Sequence, residues 1–233
     1  MNFLYIYIWP VIYSFYKYLT INLYEKNSLK IARNFLSITH TGVFCILSSL
    51  FLLTNKKTLL DILMNHFKSY NIWDSYFIII HNKNNEFGYL IHHFIAFMGI
   101  NAIQNSYNKG GYLTLLAITV AEYSNLATPI VYHLHKTLDL KNVNNKKKLL
   151  KAKRNQIVWY GLLRGPVLLT IFMLGYKKLT FSYFGAYLFL YFVGLWWLHK
   201  QYKGFIRDKL EILSIKNKIL TENKKLEAQE KEQ

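Results

Sequence analysis

The stretch Phe35-Leu-Ser-Ile-Thr-His-Thr-Gly-Val-Phe-Cys-Ile-Leu-Ser-Ser-Leu-Phe-Leu-Leu-Thr54 contains no Lys, Arg, Asp or Glu. At ~1.5 Å per residue a helix of this length covers ~30 Å, the thickness of a bilayer's hydrocarbon core, so such runs are read as membrane spans. Tyr112–Val131, broken by Glu122 alone, and Phe181–Leu198, with no charge, repeat the pattern. Between and after them the charge is concentrated in Lys136–Arg154 and in the last 34 residues. This segregation excludes a water-soluble enzyme and predicts an all-α, polytopic transmembrane helix bundle.

Seven spans are expected: Phe3–Leu23, Phe35–Thr54, Tyr70–His81, Tyr89–Tyr107, Gly111–His133, Gln156–Leu174 and Phe181–His199. Six are long enough to cross. Tyr70–His81, at ~18 Å, is not, and must either extend backwards through the polar stretch around His66–Lys68 or lie shielded by its neighbours. The loop charges favour its crossing. Lys26, Lys30 and Arg33, then Lys136 through Arg154, then Lys200, Lys203 and Arg207 share one side only if the chain crosses seven times. By the positive-inside bias that side is cytosolic, with the N-terminus outside and the C-terminus in the cytosol. Asn2–Tyr16 lacks a basic n-region and a cleavage site, so it reads as a retained first span.

The chain is 233 residues long, 52% hydrophobic and 17% aromatic, with 29 Lys+Arg against 12 Asp+Glu, a net charge of +17. The basic residues flank apolar spans, which accounts for them without nucleic acid as a partner. With Cys45 as the one cysteine, neither an internal disulfide nor a thiolate zinc cage can form. His133 and His135 form a lone H-x-H that reads as interfacial, and no metal site is expected. No P-loop, dinucleotide fingerprint or Gly-x-Ser-x-Gly elbow is present. Residues 1–32 are read as a first helix and loop, 33–204 as the main transmembrane domain, and 205–233 as a charged cytosolic helical tail. In that tail Ile206, Leu210, Leu213, Asn217 and Leu220 follow steps of four and three. A solvated helix is the plainer reading, with weak self-association through this short seam as the alternative.

Ionisable residues inside spans are costly and mark functional sites. Here they are Lys17, His40, Asp74, His92, His93, Glu122 and Arg164, with Asn125 close by. Lys17 can snorkel to the interface and carries little weight. Measured from the cytosolic end at ~1.5 Å per residue, His92 and His93 lie ~6–8 Å deep, His40 ~9 Å, Asp74 ~10 Å, Asn125 and Arg164 ~12 Å and Glu122 ~16 Å. One polar cavity is therefore expected, lined by His40, Asp74, Glu122, Asn125 and Arg164. His92 and His93 are the candidate catalytic residues, either one able to act as general base. Adjacent helical residues point ~100° apart, so one ring should face the cavity and the other a neighbouring helix. Arg164 can pair with Glu122 or Asp74, and two acids against one Arg leave either a surplus negative charge or a protonated acid, a mild pointer to function. Pro166 should kink the sixth span beside them. The alternative is that all of these groups merely bridge helices.

Four segments in register resemble the TLC-domain family of membrane proteins, most closely its small stand-alone members. They are Ser37-Ile-Thr-His40; Asp74, some eighteen residues before Leu90-Ile-His92-His93-Phe94; Ala121-Glu122-Tyr123-Ser124-Asn125; and Trp196-Trp197-Leu198-His199-Lys200-Gln201-Tyr202-Lys203-Gly204. The resemblance covers about Arg33 to Arg207. It implies a multi-helix domain concerned with membrane lipids, located in an endomembrane such as the endoplasmic reticulum or, for a viral chain, a host membrane. In the family's ceramide synthases it implies an acyl-transfer site at the paired histidines. Those enzymes carry two aspartates about thirty residues after the histidines; here Thr119-Val120-Ala121-Glu122-Tyr123-Ser124-Asn125-Leu126 has none. Stand-alone members have a proline soon after this motif, here delayed to Pro129. The expected function is therefore lipid binding or regulation of membrane lipid composition. The first alternative is an acyltransferase taking acyl-CoA as substrate, with no resident cofactor. A transporter is the second alternative, weakened by the shortage of polar residues in the outer third of most spans.

Overall fold

The computed structural model describes residues 4–24, 27–81, 87–106, 111–178 and 181–232, and among these it is helical but for short turns, without a strand. Phe3, Lys26 and Tyr107, named above as span or loop residues, lie outside the described residues. The helices are α1 Leu4–Tyr24, α2 Ser28–Thr54, α3 Lys57–His81, α4 Phe87–Ser106, α5 Tyr112–Asn125, α6 Ala127–Thr137, α7 Val143–Leu162, α8 Leu168–Gly175 and α9 Phe181–Glu232. A π-helical turn, Leu163–Val167, joins α7 to α8, so Val143–Gly175 is one long helix with a bulge. Counting α5 with α6 and α7 with α8, the described residues make seven helical passes along the bundle.

Two of these helices, Ser28–Thr54 and Val143–Gly175, are long and apolar enough to cross a membrane, and Leu90–Asn101 is a shorter apolar helix. Their apolar side chains face outward as well as inward. Ile46, Leu53, Phe94, Val158, Leu162 and Leu174 are all exposed.

The expected third span is longer than its apolar stretch. α3 extends back from Tyr70 to Lys57, which brings its length to ~37 Å. His66, Lys68, Ser69 and Asn71 are tolerated because they are turned inward and buried. α2 begins seven residues before Phe35, so Lys30 and Arg33, expected in a loop, are helical. It ends where Asn55 adopts φ 51° and its N–H bonds to the Phe51 carbonyl at 2.7 Å, a left-handed cap that lets α3 start at once. The fifth span is broken at Leu126. Pro129 cannot donate to the carbonyl four residues back, that of Asn125, and the chain bends there. Much of the basic loop after α6 is also helical, because Asn142 caps α7 by accepting from the Asn144 N–H at 2.8 Å. The seventh span does not stop at His199 but runs into the tail as one 52-residue helix.

Side-chain contacts show the passes alternating in direction. Asn27 reaches the Lys136 carbonyl, Asn34 that of Pro129, and Thr41 reaches Glu122, so α2 runs antiparallel to α5 and α6. Lys146–Glu211, Lys153–Asp208 and Gly161–Leu198 show the same for α7 and α9. Tyr24, His81, Thr137 and Lys200 thus fall at one end of the bundle, called here the basic end. The opposite end is closed by a core of Phe44, Phe51, Leu63, Met64, Ile100 and Leu115. Trp9, Leu36, Tyr70, Trp73 and Phe77 form a second core beneath α1.

Candidate functional site

Toward the basic end the helices diverge around a chamber of about 740 Å³. His40, Asp74, His92, His93, Glu122 and Asn125 all line it. Arg164 does not. It lines a smaller, mostly apolar space of about 60 Å³ between α4, α5, α8 and α9, which shares Phe67, His92 and Glu122 with the chamber. Lys17 is exposed on α1 and takes no part.

The expected pairing of Arg164 with an acid is replaced by a different one. Arg33 grips Asp74 with both arms, Nε to Oδ1 at 3.1 Å and Nη2 to Oδ2 at 3.3 Å. The reason lies in helix register: one turn of α2 below the mouth puts Arg33 opposite Asp74 on antiparallel α3, while Arg164 sits on the far side of the bundle. Arg164 instead donates from Nε to Ser124 Oγ at 2.8 Å and from Nη2 to the Ala121 carbonyl at 3.3 Å. Its guanidinium lies over the Tyr160 ring at 5.3 Å. Among the described residues it forms no ion pair, and it acts on Glu122 through space. Thr41 and Asn125 hold the Glu122 carboxylate by hydrogen bonds, that from Thr41 Oγ1 being 3.4 Å long.

The two adjacent histidines diverge, as helical geometry requires. His93 turns toward α3, with Nδ1 3.1 Å from Ser75 Oγ and Nε2 3.5 Å from Asp74 Oδ2. Donation by Ser75 to Nδ1 sets the tautomer whose Nε2–H faces the carboxylate. Arg33, Asp74, His93 and Ser75 therefore form a continuous polar wall. His92 turns toward α9, its ring edge-on to Trp197 at 5.6 Å. Its Nδ1 is buried and has no hydrogen-bond partner. A buried polar nitrogen left unpaired costs about 1–3 kcal/mol, so it marks a place where a ligand group or a water would be favoured.

Opposite this wall, His40 lies between aromatic rings. It stacks on Tyr70 at 3.7 Å with 5° between the planes, and Trp9 packs edge-on at 5.8 Å. His66 Nε2 is 3.1 Å from His40 Nδ1 and 3.2 Å from the His40 carbonyl, an arrangement satisfied when His66 carries the proton. Trp9 is fixed in turn by its Nε1–H to Ser69 Oγ at 2.9 Å. This group packs three helices together, and His40 and Tyr70 from it also line the chamber. His133 is likewise packed, against Tyr24 and Phe35, while His135 is exposed. No group of three or more His, Cys, Asp or Glu is placed to hold a metal among the described residues.

Several lining residues are not evident from the sequence. Arg33 stands there as one of the orientation charges, yet it lies seven residues, two helical turns, before His40 and so on the same face. Tyr70 and Asp74, spaced by four, both line the chamber, and buried His66 one turn earlier extends the same inward stripe. Trp197, Gln156 and Tyr160 carry no signal, because aromatic and amide residues are common throughout the chain. No family model, no curated protein and no solved structure matches this chain.

Proposed function

We propose that the chain is a multi-pass membrane protein of TLC type that holds a lipid in the polar chamber and so influences membrane lipid composition. The observation that carries this reading is the chamber itself, a space of about 740 Å³ into which several ionisable side chains project, set among helices whose outer faces are apolar. Polar groups buried in such a bundle are expensive unless they serve a purpose. A smaller, mostly apolar space adjoins the chamber at Phe67, His92 and Glu122, a juxtaposition suited to a molecule with a polar head and a hydrocarbon part. A transporter is disfavoured by the Phe44–Leu115 core, which seals the opposite end.

The unpartnered Nδ1 of His92 favours an acyltransferase as the second reading, with His92 as general base and acyl-CoA as donor. His93 then serves to orient, since both its nitrogens are engaged. Mass spectrometry of lipid co-purified with the full chain, before and after incubation with acyl-CoA, separates the readings. A binder retains lipid that His92→Ala loses and His92→Gln largely keeps, because glutamine preserves a hydrogen bond. A base-catalysed transfer is lost in both variants, by on the order of 10²–10⁴-fold. Wild-type lipid content and no product in every variant would discard both.

A further inference from the structure

We propose that the outward face of α7 at the basic end is a docking site for anionic phospholipid headgroups. The inference rests on the membrane reading above and concerns a surface outside the chamber.

The lysines of α7 divide into two sets with different surroundings. Lys146 and Lys153 face α9 and meet the carboxylates of Glu211 and Asp208, with Leu149 and Gln156 buried on the same side. Lys147, Lys148, Lys151 and Arg154 lie on the opposite side, all exposed, and none joins an ion pair among the described residues. Glu211 and Asp208 are already engaged by the inward lysines, and Asp139, the acid in the turn before α7, forms no ion pair with these four among the described residues. Four positive charges therefore remain on one surface without compensation.

The next residues along that face identify the partner. At the same helical spacing, Arg154 is succeeded by Val158 and Leu162, which are 56% and 55% exposed. Charge thus gives way to bare apolar surface within one turn. Two tryptophans lie near the level of this change. Trp159 is 43% exposed and donates Nε1–H to the Tyr123 carbonyl at 2.8 Å, and Trp196 carries the Lys200 ammonium 3.6 Å from its ring centre. Indole rings of this kind sit at the headgroup level of a bilayer. An anionic headgroup over Arg154 and Lys151 would have its chains running along Val158 and Leu162. A nucleic acid fits the charge but not the apolar continuation of the same stripe.

The test uses the purified full chain in phosphatidylcholine nanodiscs carrying a minor fraction of spin-labelled phosphatidylserine. Electron spin resonance then gives the ratio of serine to choline lipid at the protein surface. Phosphatidylserine should be enriched at low salt, and the enrichment should fade as the Debye length shrinks from ~30 Å at 0.01 M to ~3 Å at 1 M. Replacing Lys147, Lys148, Lys151 and Arg154 together by Gln should abolish it, by up to roughly five-fold for each charge removed. Lys56→Gln with Lys57→Gln, at the opposite end, should leave it intact. Enrichment that persists in high salt or in the fourfold variant overturns the proposal, as does a wild-type chain that inserts but shows no preference. The salt series on wild-type protein decides the matter even if the fourfold variant misfolds. A chain that does not enter the bilayer fails the membrane reading together with this one. Retention of a single-stranded RNA without lipid preference would assign the stripe to nucleic acid instead.

Discussion

The pairing of Arg33 with Asp74 carries most of the electrostatic consequence at the site, because it decides which cation neutralises a buried acid. Asp74 is 5% exposed, and removal of one partner from a buried pair typically costs about 3–5 kcal/mol, more than the pair contributes net. Arg33→Leu should therefore lower the detergent melting temperature markedly, toward the lower end of that range since His93 still faces the acid. Arg33→Leu combined with Asp74→Leu should recover part of the loss. The same cycle on Arg164 and Glu122 should come out closer to additive, because those two side chains do not touch. Equal coupling in both cycles would contradict the geometry. At this scale the sequence picks out His40, Asp74, His93, Glu122 and Arg164 as buried and ionisable but includes exposed Lys17 and passes over buried His66 and Lys68, while the ~100° divergence of His92 and His93 comes from helix geometry alone. Partner choice is not legible. It depends on the register between α2 and α3, which no local pattern encodes.

Elements are legible where their apolar stretches are long and hidden where polar residues are buried within them. α3 looks twelve residues long in the sequence because His66, Lys68 and Asn71 interrupt its hydropathy, although these residues point inward. α9 looks shorter than it is because its charged half is solvated rather than unfolded. Leu210, Leu213 and Leu220 on its steps of four and three are all exposed, and the tail is tied to α7 by Asp208 and Glu211. Close packing of α9 on the π-helical turn depends on Gly194. A Cβ there would lie 3.3 Å from Arg164 Cδ, and Arg164 cannot swing aside without breaking its bond to Ser124. Gly194→Ala should cost about 1 kcal/mol and Gly194→Val about 1–3 kcal/mol, as overpacking does. Gly185→Ala, with nothing within 4 Å, should instead stabilise by roughly 0.5–1 kcal/mol through helix propensity. Melting temperatures of the three variants check this, and a neutral Gly194→Val would mean that α9 does not approach α7 so closely.

Over the whole molecule, an odd number of alternating passes places the two ends of the chain at opposite ends of the bundle. α1 begins at the opposite end and α9 emerges at the basic end, the end at which Lys136, Lys141 and the exposed stripe of α7 also lie. Cations next to apolar spans are retained on the cytosolic side, so the basic end should face the cytosol and open the chamber toward it. In sealed microsomes an N-terminal tag should then resist added protease until detergent is present. A C-terminal tag should be removed at once, because the last two turns of α9 lie well beyond the tie at Glu211. Cleavage between Thr137 and Val143 should accompany loss of the C-terminal tag, as both lie at the same end. Protection of both tags, or exposure of both, would require an even number of crossings. The weakest candidate for omission is α3, whose buried His66, Lys68 and Asp74 have no tolerable place in lipid without α1, α2 and α4 around them. A chain lacking that crossing would separate Asp74 from Arg33, so tags on one side together with a lost Arg33–Asp74 coupling would identify α3 as the missing crossing, whereas an intact coupling would point to another helix.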